Sequence, residues 1–236
     1  MKKGGILADE FDDILLGSDL EITSEEEKTF ARYYDLLAEG NTRSNLTAIT
    51  GKEEVYRKHF LDSLSLAKIV DFHGKTILDV GSGAGFPSLP LKIVFPDLQV
   101  TIIESLGKRV SFLIDLTEKL GLENVKIIYG RAEEYSQKNM FDIVTARAVA
   151  KMNILTELCL PFVKNGGVFL AMKNASCEKE VEEAKEAIRI LGGKMDKIVR
   201  YPISAGCEHA VVVIKKEKPT SAGYPRPFAK IKKHPL

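Results

Sequence analysis

From Thr76 onward, short runs rich in β-branched and aromatic residues alternate with stretches whose apolar residues recur every three or four positions, and this alternation constrains the fold more than any other feature. Strands are predicted near 76–80 (TILDV), 99–103 (QVTII), 125–129 (VKIIY), 141–145 (FDIVT), 167–172 (GVFLAM), 197–201 (KIVRY) and 209–214 (HAVVVI). A helix over Glu178 to Leu191, with Val181, Ala184, Ile188 and Leu191 on one side, shows the intervening pattern. Strands that alternate with helices give a mostly parallel sheet covered on both faces. Only PISAGCE separates the last two runs, which is too short for a crossover helix. They therefore form a hairpin, and the expected seven-stranded sheet ends with one antiparallel strand.

The segment before Thr76 reads as helical. Ser24 with Glu27 suggests a capping box, Phe30, Tyr33 or Tyr34, and Leu37 continue at helical spacing, and Gly40 is expected to stop the run. A second helix is expected from about Lys52 to Val70. The chain of 236 residues thus divides into an acidic segment and helices packed on the core (1–73), an α/β core (74–216) and a basic tail (217–236). Its net charge of +1 averages opposed ends: nine acids and no Lys or Arg lie between Asp9 and Glu27, whereas seven basic residues against Glu217 alone follow from Lys215. Such a tail suits a polyphosphate partner, since each cation that meets a phosphate releases condensed counterions; the plain alternative is a solvated terminus. Cys159, Cys177 and Cys207 are widely spaced, without a CxxC pair, and signal neither a disulfide framework nor a metal site. With no apolar run near 20 residues and no signal-peptide pattern in the first residues, the expectation is a cytoplasmic protein, taken as a monomer.

The sharpest local motif, Asp79-Val80-Gly81-Ser82-Gly83-Ala84-Gly85-Phe86-Pro87, follows the first strand, where open α/β sheets bind ligands. The dinucleotide fingerprint is GxGxxG; here Gly81, Gly83 and Gly85 make GxGxG, with an acid two residues ahead. That is the methyltransferase spacing, in which no pyrophosphate needs cradling and Asp79 can lie near a cationic ligand group. A sheet ending in an antiparallel strand is also commoner in methyltransferases than in dehydrogenases. Glu104 and its neighbour Ser105 end the second strand, where a nucleoside's ribose needs an acceptor. After the third strand, Ala132 and Glu133 are placed to meet an adenine edge. Taken in order, these sites point to S-adenosylmethionine bound by a Rossmann-like class I methyltransferase fold.

The chain also resembles a known family, the bacterial 16S rRNA (guanine-N7) methyltransferases called RsmG or GidB, through NLTAIT (45–50), VYRKHFLDSL (55–64), DVGSGAGFPSLPL (79–91), GRAEE (130–134) and TARAVA (145–150). The resemblance implies that positions Gly81, Phe86, Ala132, Glu133 and Arg147 hold S-adenosylmethionine. It also implies N7 of a guanine in the decoding region of 16S rRNA, or of the small ribosomal subunit, as acceptor. The tail YPRPFAKIKKHPL departs from the family pattern by lacking a Gly-x-Pro in its middle.

After the fourth strand stands Thr145-Ala146-Arg147-Ala148, with neither the NPPY-like run of amine methyltransferases nor a Pro-Cys nucleophile. Guanine N7 carries an in-plane lone pair and needs neither, so no general base is named, and catalysis rests on alignment and electrostatics. Arg147 is a candidate for contact with cofactor, guanine O6 or phosphate, or alternatively for a structural ion pair. His59 reads as a packed residue, and Lys173 as a phosphate contact or a solvated cation. Arg226, Lys230, Lys232 and Lys233 complete the candidate RNA contacts. The rival readings are methylation of another RNA position or of a small molecule, and a non-catalytic S-adenosylmethionine- or RNA-binding module.

Overall fold

The computed structural model describes residues 21–204 and 206–236. The acidic run before Glu21 lies outside the described residues. Helix α1 (Ser24–Ser44) leads into α2 (Lys52–Val55), a π-helical turn (Tyr56–Leu61), α3 (Asp62–Leu64) and a 3-10 turn (Ser65–Lys68). Then come β1 (Thr76–Val80), α4 (Ser88–Val94), β2 (Gln99–Glu104), α5 (Gly107–Leu120), β3 (Val125–Tyr129), β4 (Phe141–Arg147), α6 (Met152–Cys159), β5 (Val163–Asn174), α7 (Glu178–Glu183), α8 (Lys185–Ile190), β6 (Gly193–Ser204), β7 (Cys207–Lys216) and α9 (Phe228–Lys233). No helix among the described residues is long and apolar enough to cross a membrane.

The seven strands form one sheet in the order β3-β2-β1-β4-β5-β7-β6. β1 to β5 pair in parallel, while β7 runs antiparallel to both neighbours, β5 and β6. The hairpin inserts its second arm inside the sheet and leaves β6 at the edge. Alternation along the strands sorts the core into two layers. Ile77, Ile102, Ile143, Leu170 and Val213 face α1, α4 and α5, whereas Leu78, Ile103, Val144, Phe169 and Val212 face α6, α7 and α8. The N-terminal helices share the first layer with the sheet, through Phe30, Tyr33, Leu37, Phe60 and Leu64.

Several expected boundaries move for identifiable reasons. The capping box is one residue earlier: Thr23 accepts from the Glu26 amide (3.3 Å), and the Glu26 carboxylate accepts from the Thr23 amide (2.6 Å). Gly40 does not stop α1, which runs on to Ser44 and closes at Asn45 with φ 45°. Gly40 serves packing instead, since a Cβ there would stand 2.6 Å from the Phe112 ring on α5. The second helix ends at Lys68 and is interrupted by its π turn, and the 178–191 helix breaks at Ala184. β5 and the β6–β7 hairpin extend beyond their apolar cores because ladder hydrogen bonds continue through polar residues. The tail ends in α9, with Ile231 fully buried.

Candidate active site

β1 delivers the chain into the glycine loop at the C-terminal edge of the sheet. Gly81 has φ +72°, a region that L side chains rarely adopt, and a Cβ there would stand 3.0 Å from Val149 Cγ2. Gly85, at φ +105°, does a different job: a Cβ would meet Leu89 and the Tyr33 hydroxyl at 2.5 and 2.6 Å, so its bareness lets α1 and α4 close on the loop. Tyr33 then donates to the Ala84 carbonyl (2.7 Å).

Asp79 is fully buried under this loop. Its Oδ2 accepts from the Ser88 amide (3.2 Å) and hydroxyl (2.7 Å), but Oδ1 has no partner, and neither has the buried hydroxyl of Ser82, among the described residues. Burial pushes the Asp79 carboxyl up to about 7, against the pull of Ser88. Two unsatisfied buried polar atoms beside a bare loop are costly unless a ligand meets them. Glu104, only 2% exposed, accepts from the Gly83 amide (3.1 Å) and the Leu106 amide (3.0 Å), with Arg109 at 3.7 Å. It ties the end of β2 to the loop.

Beyond the loop, Gly81, Ser105, Ala132, Glu133, Val149 and Phe228 line a cleft of about 140 Å³. Ala132 and Glu133 are placed there by a 3-10 turn after β3. Val149 is 39% exposed and follows Ala148, a non-glycine residue held at φ +55° at the end of β4. On the other side of this Arg147–Val149 segment opens a second cavity, of about 480 Å³, lined among others by Lys58, His59, Asp62, Arg147, Lys173 and His209.

The π turn ends at Leu61 and sets Asp62, itself fully buried, against the sheet. Asp62 Oδ2 accepts from Arg147 Nη1 (3.1 Å), and Oδ1 from the Tyr201 hydroxyl (2.9 Å) and His209 Nδ1 (2.7 Å). Arg147 also donates to the Lys58 carbonyl (3.2 Å) and lies 4.9 Å from the centroid of Phe86. His59 stacks on the same ring (4.5 Å) and contacts Thr47 Oγ1 (2.9 Å). Burial first, and then the Arg147 charge, bring its pKa down to about 4, so it is neutral at pH 7. Lys173 reaches the Ala150 carbonyl (3.1 Å) and Glu180 (2.6 Å).

Of the sites read from sequence, Gly81, Ser105, Ala132 and Glu133 meet in the cleft, and Gly83 and Glu104 are joined behind it. The side chain of Phe86 turns inward between Tyr33, His59 and Arg147, and does not wall the cleft. Arg147 and Lys173 belong to the second cavity. Arg226 is not available as expected, because it clamps the buried Glu157 carboxylate through Nε (2.8 Å) and Nη2 (2.6 Å). The tail it anchors runs beside the cleft, where Phe228 is a wall, rather than bordering the second cavity. Lys230, Lys232 and Lys233 are exposed on α9. The sequence reading missed Asp62, Tyr201, His209, Val149 and Phe228. A signal existed for the first three: an acid in an apolar helix, and polar residues flanking the turn of a predicted hairpin.

Residues 26–208 match the model of the GidB family, described as rRNA small subunit methyltransferase G. The chain belongs to this family. It is 48% identical over 234 residues to the ribosomal RNA small subunit methyltransferase G of Lactococcus lactis subsp. lactis, covering 97% of this chain and 98% of that one. The protein of the same name from Staphylococcus epidermidis strain RP62A is 47% identical over 223 residues, covering 92% and 93%. Solved structures share the fold at low identity. YcgJ of Bacillus subtilis superposes with a TM-score of 0.54 at 17% identity over 68% of this chain and 100% of that one. The TYW2 protein of M. jannaschii, in complex with AdoMet, gives 0.56 at 19% identity over 70% and 77%. This member of the family thus folds as a Rossmann-like class I methyltransferase with helices added before the sheet.

Proposed function

We propose that this protein transfers a methyl group from S-adenosylmethionine to N7 of a guanine in small-subunit ribosomal RNA. The observation that carries the reading is the pairing of two compartments across the Arg147–Val149 segment, a narrow cleft at the glycine loop and a larger polar cavity beyond it. Membership of the rRNA small subunit methyltransferase G family supplies the acceptor class.

S-adenosylmethionine brings an electrophilic methyl on a sulfonium centre. The chain's own residues fit it: Asp79 Oδ1 and Ser82 Oγ await polar partners, Gly81 admits a ligand against bare backbone, and Ala132 and Glu133 offer an amide and a carboxylate to a nucleobase edge. Glu104 holds the loop and remains the acceptor for ribose hydroxyls. Guanine N7 attacks through its lone pair, so no proton must leave first and no residue need act as base. Arg147, fixed by Asp62, cannot swing freely toward N7 and compete for that lone pair. Rate enhancement then comes from holding the base in line and excluding water. Lys230, Lys232 and Lys233 are proposed to meet RNA phosphates near the cleft, and the protein acts in the cytoplasm, where ribosomal subunits mature.

Nucleosides from the small-subunit rRNA of a deletion strain, before and after complementation, test the reading by mass spectrometry. One 7-methylguanosine should vanish and return. An unchanged nucleoside profile would remove ribosomal RNA as the substrate.

A further inference from the structure

Asp62 accepts from His209 Nδ1, and a carboxylate can only accept, so Nδ1 carries the hydrogen in that contact. In the neutral ring the other nitrogen is then a bare acceptor. His209 lines the second cavity with its side chain 28% exposed, and Nε2 has no hydrogen-bond partner among the described residues. The cationic heads around that cavity are already committed: Arg147 to Asp62, Lys173 to Glu180 and Lys58 to Glu54. Tyr201, paired with His209 across the β6–β7 ladder, donates to the same Asp62 oxygen, so the ring is held from two sides.

Position agrees with this chemistry. His209 stands on β7, two strands from β4 and thus roughly 10 Å from the Arg147–Val149 segment at ordinary strand spacing. A guanine whose N7 faces the cofactor cleft turns N1–H and its exocyclic amine, both donors, away from the cleft. Adenine offers a bare N1 and no 2-amino group there. We propose that His209 is a specificity-determining residue whose Nε2 accepts a hydrogen bond from the N1–H and amine edge of the target guanine, with Asp62 and Tyr201 positioning the ring. This rests on the guanine-N7 reading above and names the residue that reads the base.

The test compares three substitutions in the full chain. An asparagine amide reaches about as far as Nδ1 and can keep the Asp62 contact, whereas a glutamine amide reaches about as far as Nε2 and keeps an acceptor in the cavity. His209→Ala and His209→Asn should each lower kcat/KM for small-subunit substrate roughly tenfold, while His209→Gln loses only about threefold. S-adenosylmethionine affinity by calorimetry and the melting temperature of His209→Asn should match the parent. If Asn retains activity and Gln does not, His209 serves only Asp62 and the proposal falls; equal activity in all three also overturns it. Histidine 15N NMR gives a readout that a merely structural role would not move. The Nε2 resonance should have the shift of an unprotonated nitrogen and change on adding substrate RNA, and a protonated Nε2 or no response to RNA would refute the contact. A parent enzyme that yields no 7-methylguanosine would instead sink the function itself, which separates the two failures.

Discussion

Replacing Arg226 by alanine should destabilise the protein far more than it weakens RNA binding. Glu157 is fully buried, and Arg226 supplies three donors to its carboxylate, from Nε, Nη2 and the backbone amide (2.9 Å). The substitution removes the two charged donors and leaves a buried carboxylate with one neutral partner. Stranding such a charge costs about 3–5 kcal/mol. A loss of about 3 kcal/mol in a chain of this size lowers Tm by roughly 6–12 °C. Differential scanning fluorimetry reads the shift, and Arg226→Ala combined with Glu157→Gln should recover a large part of it by removing the stranded charge. Should Tm stay within about 1 °C of the parent while RNA affinity drops, the pair would be incidental and Arg226 a phosphate contact after all.

Replacing Lys230, Lys232 and Lys233 together by alanine should leave Tm and cofactor affinity unchanged, raise KM for ribosomal substrate, and flatten the salt dependence of RNA binding by up to about three units of slope; identical salt curves would show α9 to be solvated. Gly81→Val forces a side chain into φ +72° and against Val149, so S-adenosylmethionine affinity should be largely lost, and calorimetry showing parental binding would remove the loop from the site. Glu104→Ala should weaken cofactor tenfold or more, since it loses both the proposed ribose acceptor and the clamp on Gly83, and parental sinefungin binding would make Glu104 dispensable. Asp79 binds a proton in the folded state between its ordinary pKa of 3.8 and about 7. The ligand-free protein therefore loses stability as pH rises through that window, by up to about 1.4 kcal/mol per unit, and Asp79→Asn should flatten this slope relative to the parent. Superimposable pH–Tm curves would contradict it.

The sheet was legible because strands buried on both faces need short, near-continuous apolar runs such as TILDV and HAVVVI, and the glycine loop because its spacing is tied to backbone conformation. Gly40 misled because a glycine that makes room for Phe112 has the same letter as one that ends a helix. Arg226 misled for a related reason. A basic residue in a basic tail looks solvated, and its partner Glu157 sits in an apolar helix 69 residues away. Phe86 was read through the loop that it follows, yet its ring belongs to the packing of the N-terminal helices. Asp62, Tyr201 and His209 escaped notice individually because nothing local ties them together; only the fold brings the end of a π turn to the turn end of the hairpin.

That junction also bears on biosynthesis. Asp62 and His209 lie 147 residues apart, and Tyr201 lies 139 from the same carboxylate. A nascent chain that has emerged only as far as β5 carries every residue of the glycine loop and most of the cleft, but its Asp62 has Arg147 alone for company and the far wall of the second cavity does not yet exist. Contacts of such separation form late, once the entropy of closing a long loop can be met by the surrounding packing. The residues of the glycine loop and most of its cleft therefore precede those of the second cavity, which is completed only when synthesis has passed the final hairpin.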